Sequence, residues 1–191
     1  MRLSNTKVTK LILIVATITI VWVLSLYLAN YVSDNEMAQN MVGQFGYLGI
    51  LVLAIIAGVN VLLPVPAATF VPVFVAAGMW MPLIIITLVI GTVIADYAGY
   101  FIGHWSRKFA KDHYPKTYRK VLSLNARHHN LILPFVFFYA ALVPFPNEAF
   151  IIPLALIGIK FRFILLPLIL GNLINQTMLA LGTANIFELL F

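Results

Sequence analysis

Leu62-Leu63-Pro64-Val65-Pro66-Ala67-Ala68-Thr69-Phe70 and Leu142-Val143-Pro144-Phe145-Pro146-Asn147-Glu148-Ala149-Phe150 are two versions of one phrase, set 80 residues apart. Each interrupts an apolar stretch. Proline has no N–H to donate and its ring clashes with the preceding helical turn, so Pro-x-Pro cannot lie inside a continuous helix. The flanks Tyr47–Leu63 and Ala67–Trp80 are 17 and 14 residues, and Leu131–Val143 and Asn147–Ile159 are 13 each. A helix needs ~20 apolar residues to cross a ~30 Å hydrocarbon core. These flanks fall short of that length, which predicts two re-entrant helical hairpins turning inside a membrane, with Pro64, Pro66, Pro144 and Pro146 at their tips.

Working outward, Leu11–Val32, Leu83–His104 and Phe163–Gly182 are long enough to cross. The chain has 191 residues, of which 62% are apolar and 9% charged, and no cysteine. Soluble domains average roughly 45–50% apolar and about 25% charged, so this composition excludes one. Without cysteine there is no disulfide, zinc-thiolate or thiol chemistry. A basic flank before residues 11–32 also suits a secretory signal. That apolar run is longer than a signal core and no small-x-small site follows it, which favours an uncleaved anchor.

The net charge of +6 invites a nucleic-acid reading, but seven of the basic residues (Arg107, Lys108, Lys111, Lys116, Arg119, Lys120 and Arg127) lie in Ser106–Asn130. Lys and Arg concentrate in cytoplasmic loops, so this loop and the Arg2/Lys7/Lys10 N-terminus are expected on the cytoplasmic side, with no nucleic-acid partner. The same loop can touch anionic lipid. The expected layout is one membrane domain over 1–191: an N-terminal helix at 11–32, a first repeat at 47–104, a basic loop at 105–130 and a second repeat at 131–182. Its C-terminus lies outside, and the inner (plasma) membrane is its expected location.

The 80-residue offset carries nine identities over the 33 positions from Leu62 to Ile94: Leu62, Pro64, Pro66, Phe70, Gly78, Ile84, Leu88, Gly91 and Ile94 match Leu142, Pro144, Pro146, Phe150, Gly158, Ile164, Leu168, Gly171 and Ile174. The first hairpin enters from outside and the second from the cytoplasm, so the copies are inverted. That plan places a site near the midplane of many secondary transporters.

Acids inside such segments are costly unless protonated, paired or wetted, which marks Asp96 and Glu148 as candidates for a transport site and proton relay. Asn147 is placed to cap the half-helix after the second tip, whose free N–H groups can hold an anion such as a lipid phosphate or Glu148 itself. At the first tip Ala67 and Ala68 stand in the matching places, and Thr69 and Asn60 are the nearest polar groups. Asp96 aligns with Gln176, near Asn172 and Asn175, amides that either bind helices together or line a polar path. Lys160 and Arg162 are further substrate-binding candidates. Gly91, Ala95, Gly99 and Gly103 recur every four residues and form a smooth face for close helix packing, within the chain or in a homo-oligomer. The histidines show no metal-ligand spacing, so no metal or cofactor is assigned.

Gly91–His104, with Asp96, Tyr100 and Gly103, and the hairpin Phe138–Gly158 resemble the DedA family, also called the SNARE-associated or VTT-domain family, over about Gly46–Gly182. His104 stands where that family usually has arginine. Tyr139, Ala140, Ala141 and Asn147 occupy the region where its bacterial branch carries arginines, and Ala67 and Ala68 replace a glutamate. The resemblance implies transport or scrambling of phosphorylated lipids, polyprenyl phosphate or phospholipid, with protons as a coupling ion in some members. Two alternatives stand beside it: a secondary transporter of a small solute or ion, and a non-transporting structural subunit. No Ser/His/Asp arrangement, paired metal ligands or phosphatase-like histidine site supports an enzyme.

Overall fold

The computed structural model describes residues 5–58, 66–116, 118–119, 131–143 and 146–190. Pro64, Pro144 and Asn60, and residues 117 and 120–130 of the expected basic loop, lie outside these residues. The described chain is helical throughout, without strands. In order come α1 (Asn5–Ser33), α2 (Glu36–Gly58), a 3-10 turn (Ala67–Phe70), α3 (Val71–Ala76), α4 (Met81–Trp105), α5 (Arg107–His113), α6 (Ile132–Leu142), α7 (Glu148–Leu156) and α8 (Phe161–Leu190).

Four helical stretches among them, Val15–Ser33, Glu36–Gly58, Met81–His113 and Phe161–Leu190, are long and apolar enough to cross a membrane. Their outward faces keep large apolar side chains exposed, among them Ile20, Leu24, Leu48, Ile56, Ile102 and Leu166. Such a surface would aggregate in water but matches hydrocarbon, consistent with an integral membrane protein. Hydroxyls on these faces are satisfied locally: Thr17 and Thr19 donate to the carbonyls of Leu13 (2.8 Å) and Val15 (2.9 Å) four residues back.

Several boundaries differ from the sequence reading. α1 begins at Asn5 rather than Leu11, and α8 continues through Gly182 to Leu190. The segment expected from Tyr47 is part of the 23-residue α2, which starts at Glu36. Asn35 sets that start, its side-chain oxygen accepting the Ala38 N–H at 3.0 Å as an N-cap. Yet α2 breaks at Gly46 (φ 50°, ψ −151°), a conformation open essentially to glycine alone, so a helical piece does begin at Tyr47. Part of the expected basic loop is helical as α5.

Glycine positions decide the packing. A Cβ on Gly171 would come within 2.7 Å of both the Ala140 Cβ and the Phe137 carbonyl, so α8 lies directly on α6. Gly91 likewise docks α4 on α2, against Ala54 and the Leu51 carbonyl at 3.0 Å. Each pair carries its own core, one around Ile50, Val71, Ile84 and Leu88, the other around Val136, Ile151, Ile164 and Leu168. α4 also packs on α7 and α8, so it joins the two cores. α1 is held outside the first core by Ser25, whose buried hydroxyl donates to the Thr69 carbonyl at 2.7 Å. That bond satisfies a carbonyl of the 3-10 turn that would otherwise be buried unpaired.

Candidate functional site

The site lies where α4 crosses α8. Thr92 and Asp96 are one turn apart on α4, and Asn172 and Gln176 one turn apart on α8, so the two pairs meet as rungs. Gln176 Nε2 donates to Thr92 Oγ1 at 3.2 Å, and Asn172 Nδ2 donates to Asp96 Oδ2 at 3.1 Å. The turn before α7 supplies a third side chain. Asn147 Nδ2 donates to Asp96 Oδ2 and to Asn172 Oδ1, both at 3.0 Å. Asp96, Asn147 and Asn172 thus close a triangle around a carboxyl that is 2% exposed.

This geometry corrects the cap assigned to Asn147. It occupies the position before α7, but its side chain makes no capping bond. Both amide hydrogens are spent on α4 and α8 instead, where a buried carboxyl oxygen and a buried carbonyl oxygen would otherwise go without those donors.

Glu148, the first residue of α7, is also buried. Its Cγ lies 2.9 Å from where a Cβ on Gly99 would be, so the absence of a side chain at Gly99 makes the room for it. The smooth face of α4 is therefore shared between two partners of the same chain. Gly91 and Ala95 meet α2, through Ala54 and Gly58, whereas Gly99 and Gly103 meet α7, through Glu148, Ile152 and Ala155.

A cavity of about 190 Å³ opens beside the triangle. Its polar lining comes from Thr92, Asp96, Asn147, Glu148, Asn172, Asn175 and Gln176, and its apolar lining from Ala54, Ala57, Ala140, Val143, Leu179 and the residues Pro66 and Pro146 beside the expected tips. Among the described residues two buried side-chain oxygens have no hydrogen-bond partner, Glu148 Oε1 and Gln176 Oε1. Asn175 sends its amide to the Ala141 carbonyl at 3.2 Å, tying α8 to the end of α6.

Of the other described sequence candidates, Thr69, Lys160 and Arg162 do not line this cavity. Thr69 is buried but turns its carbonyl toward Ser25. Lys160 and Arg162 are exposed at the α7–α8 turn, where Arg107 also lies with its guanidinium against Gly158. Among the described residues no three His, Cys, Asp or Glu side chains come together as a metal site. Thr92 is the cavity-lining polar residue the sequence reading missed. Its position four residues before Asp96, on the same face of an apolar helix, was the available signal. Comparisons with protein-family models, curated proteins and solved structures find no match to this chain.

Proposed function

We propose that this protein is a membrane transporter whose moving site is the cavity at Asp96, Asn147 and Glu148, with proton binding at the two carboxyls coupled to passage. One observation carries the reading: two acids 52 positions apart in the chain line one cavity, beside residues of both proline phrases. A structural subunit gains nothing from burying two carboxyls around a void, since each is expensive out of water. The described elements packed around them supply the following groups. α7 brings Glu148 to Asp96, Tyr139 of α6 lies within electrostatic reach of Glu148, and α2 and α8 place no charged residue in the cavity lining.

The same proposal includes an inverted duplication with two re-entrant hairpins. Support comes from bonds repeated at the 80-residue offset. The Thr69 and Ala149 N–H groups bond the Pro66 and Pro146 carbonyls at 3.0 and 3.1 Å. The left-handed glycines Gly78 (φ 77°) and Gly158 (φ 89°) close α3 and α7 with matching pairs of bonds. Upstream of the tips the docking residues Leu51 and Ile55 correspond to Phe137 and Ala141, an offset of 86, so the first connection is six residues longer. The break at Gly46 sets off residues 47–58 as a separate piece of α2, which supplies the arm leading to the first tip. This topology keeps the N-terminus and basic loop cytoplasmic and the C-terminus outside.

Phosphorylated lipid is the cargo that the DedA resemblance implies. A specific feature favours a lipid headgroup at one end of the bundle, the cluster of Arg107, Lys160 and Arg162 around the α7–α8 turn. The test is purified protein in liposomes, following labelled phospholipid and polyprenyl phosphate with and without a pH gradient. Wild type should move lipid in a gradient-dependent way, Glu148→Gln and Asp96→Asn should lose that dependence, and equal rates with empty liposomes would refute transport of these cargoes.

A further inference from the structure

Donors and acceptors are divided unequally in the cavity. Among the described lining residues each side-chain amide gives at least one N–H to the protein: Asn147 gives both, to Asp96 and Asn172, while Asn172 gives one to Asp96, Asn175 one to the Ala141 carbonyl and Gln176 one to Thr92. The Thr92 hydroxyl is spent on the Leu88 carbonyl at 2.9 Å. The buried side-chain atoms left without any partner among the described residues are both oxygens. Glu148 and Gln176 are each only 7% exposed, and Oε1 of each is buried without a partner. A buried acceptor left unmade costs ~1–3 kcal/mol, so two on one cavity are a standing demand for a donor. Among the described residues no Lys, Arg or His lines the cavity, while two carboxyls do.

From this we infer that the cavity binds a small organic ammonium ion, its N–H groups taken by the acceptor oxygens and its short alkyl part by the alanine, valine and leucine wall. The inference rests on the cavity being the transporter's substrate site, and it names the class of guest. Phosphate fails on charge, since it would meet two carboxyls with no cationic side chain among the described lining residues. A bare alkali ion fails on coordination, because it needs oxygen on all sides and much of this wall is alkyl. Size agrees with an organic guest: a cavity of ~150 Å³ takes a benzene-sized molecule, and this one is about 190 Å³.

The test measures binding of radiolabelled ethylammonium to the full-length protein in lipid nanodiscs, with sodium chloride and inorganic phosphate as competitors. Wild type should bind saturably, with displacement by unlabelled ethylammonium and none by equimolar sodium or phosphate. Glu148→Gln should weaken binding tenfold or more. Gln176→Glu, which adds a negative charge at the second free oxygen, should tighten it severalfold, a gain that misfolding cannot produce. Nanodiscs containing an ethanolamine-headed lipid separate the sources: competition by that lipid means the ammonium arrives on a headgroup, and no competition means a free amine. Absence of saturable binding, displacement by phosphate, or indifference to both substitutions would overturn the inference. Ammonium binding without gradient-driven movement in liposomes would leave this site and remove transport, and lipid movement without ammonium binding would do the reverse.

Discussion

Gly103→Ala tests whether α4 and α7 are in direct backbone contact below the site. The added methyl would lie 2.6 Å from the Ile152 carbonyl oxygen, 2.9 Å from the Ala155 Cβ and 3.0 Å from the Ile152 Cα, where ordinary contact begins at 3.4 Å. Two of the three atoms are backbone, so no rotamer change relieves the overlap and the helices must part by up to ~0.8 Å. Overpacking of this kind costs ~1–3 kcal/mol. Alanine returns ~0.8–1.0 kcal/mol of helix propensity over glycine. Gly182 provides the control, since it also lies within a helix and a Cβ there would meet nothing within 4 Å. Gly182→Ala therefore takes the propensity gain alone. Unfolding by sodium dodecyl sulfate in bicelles should place Gly103→Ala about 1–3 kcal/mol below Gly182→Ala. Two variants of equal stability would refute the close approach of α4 to α7.

Three further outcomes are expected. Asp96→Ala should destabilise by ~1–3 kcal/mol for each amide it orphans at Asn147 and Asn172, whereas Asp96→Asn keeps an acceptor oxygen and should stay within ~1 kcal/mol of wild type in the same unfolding assay. Gly46→Ala should cost ~1–3 kcal/mol although the space around it is empty, because the cost is backbone strain; Gly43→Ala, equally open but in helical conformation, should be neutral or stabilising. Tyr100→Phe removes the hydroxyl that donates to the Ile159 carbonyl at 3.0 Å and leaves the ring against Phe161, so a loss of ~0.5–1.5 kcal/mol is expected in thermal unfolding.

Much of the site was legible because polar residues are scarce in this chain. In a helix as apolar as α4 or α8, each acid or amide stands out against its neighbours; Asp96 shows by that contrast, and Gln176 and Asn172 show because Gln176 aligns with Asp96 at the 80-residue offset. What the contrast does not give is direction. Asn147 has the composition and position of a helix cap, and only the approach of α4 and α8 turns its amide away from the backbone. Thr92 resembles the many threonines that bond the carbonyl four residues back, as Thr17 and Thr19 do. Its role as Gln176's acceptor depends on which helix lies opposite, which is long-range information. The break at Gly46 was hidden for a similar reason: glycine permits an unusual backbone but does not require one, and three glycines lie between 43 and 49.

The same limit explains the small-residue face of α4. Its four-residue spacing states that something packs closely, but one helix has no means of naming its partner. The structure divides the face at the level of the acids, Gly91 and Ala95 against α2, Gly99 and Gly103 against α7. Asp96 follows Ala95 at that division, so the carboxyl lies where α4 changes partners. A shift of α7 along α4 would move Glu148 against Gly99 and pull Asn147 from Asp96 in one motion, because the two residues are consecutive. Breaking the bonds from Asn147 would leave Asp96 with fewer donors and a greater demand for a proton or a cation. Occupancy of the cavity and the packing of α7 on α4 are therefore linked through three adjacent contacts, and a ligand that favours one arrangement of α7 must be bound more tightly by it.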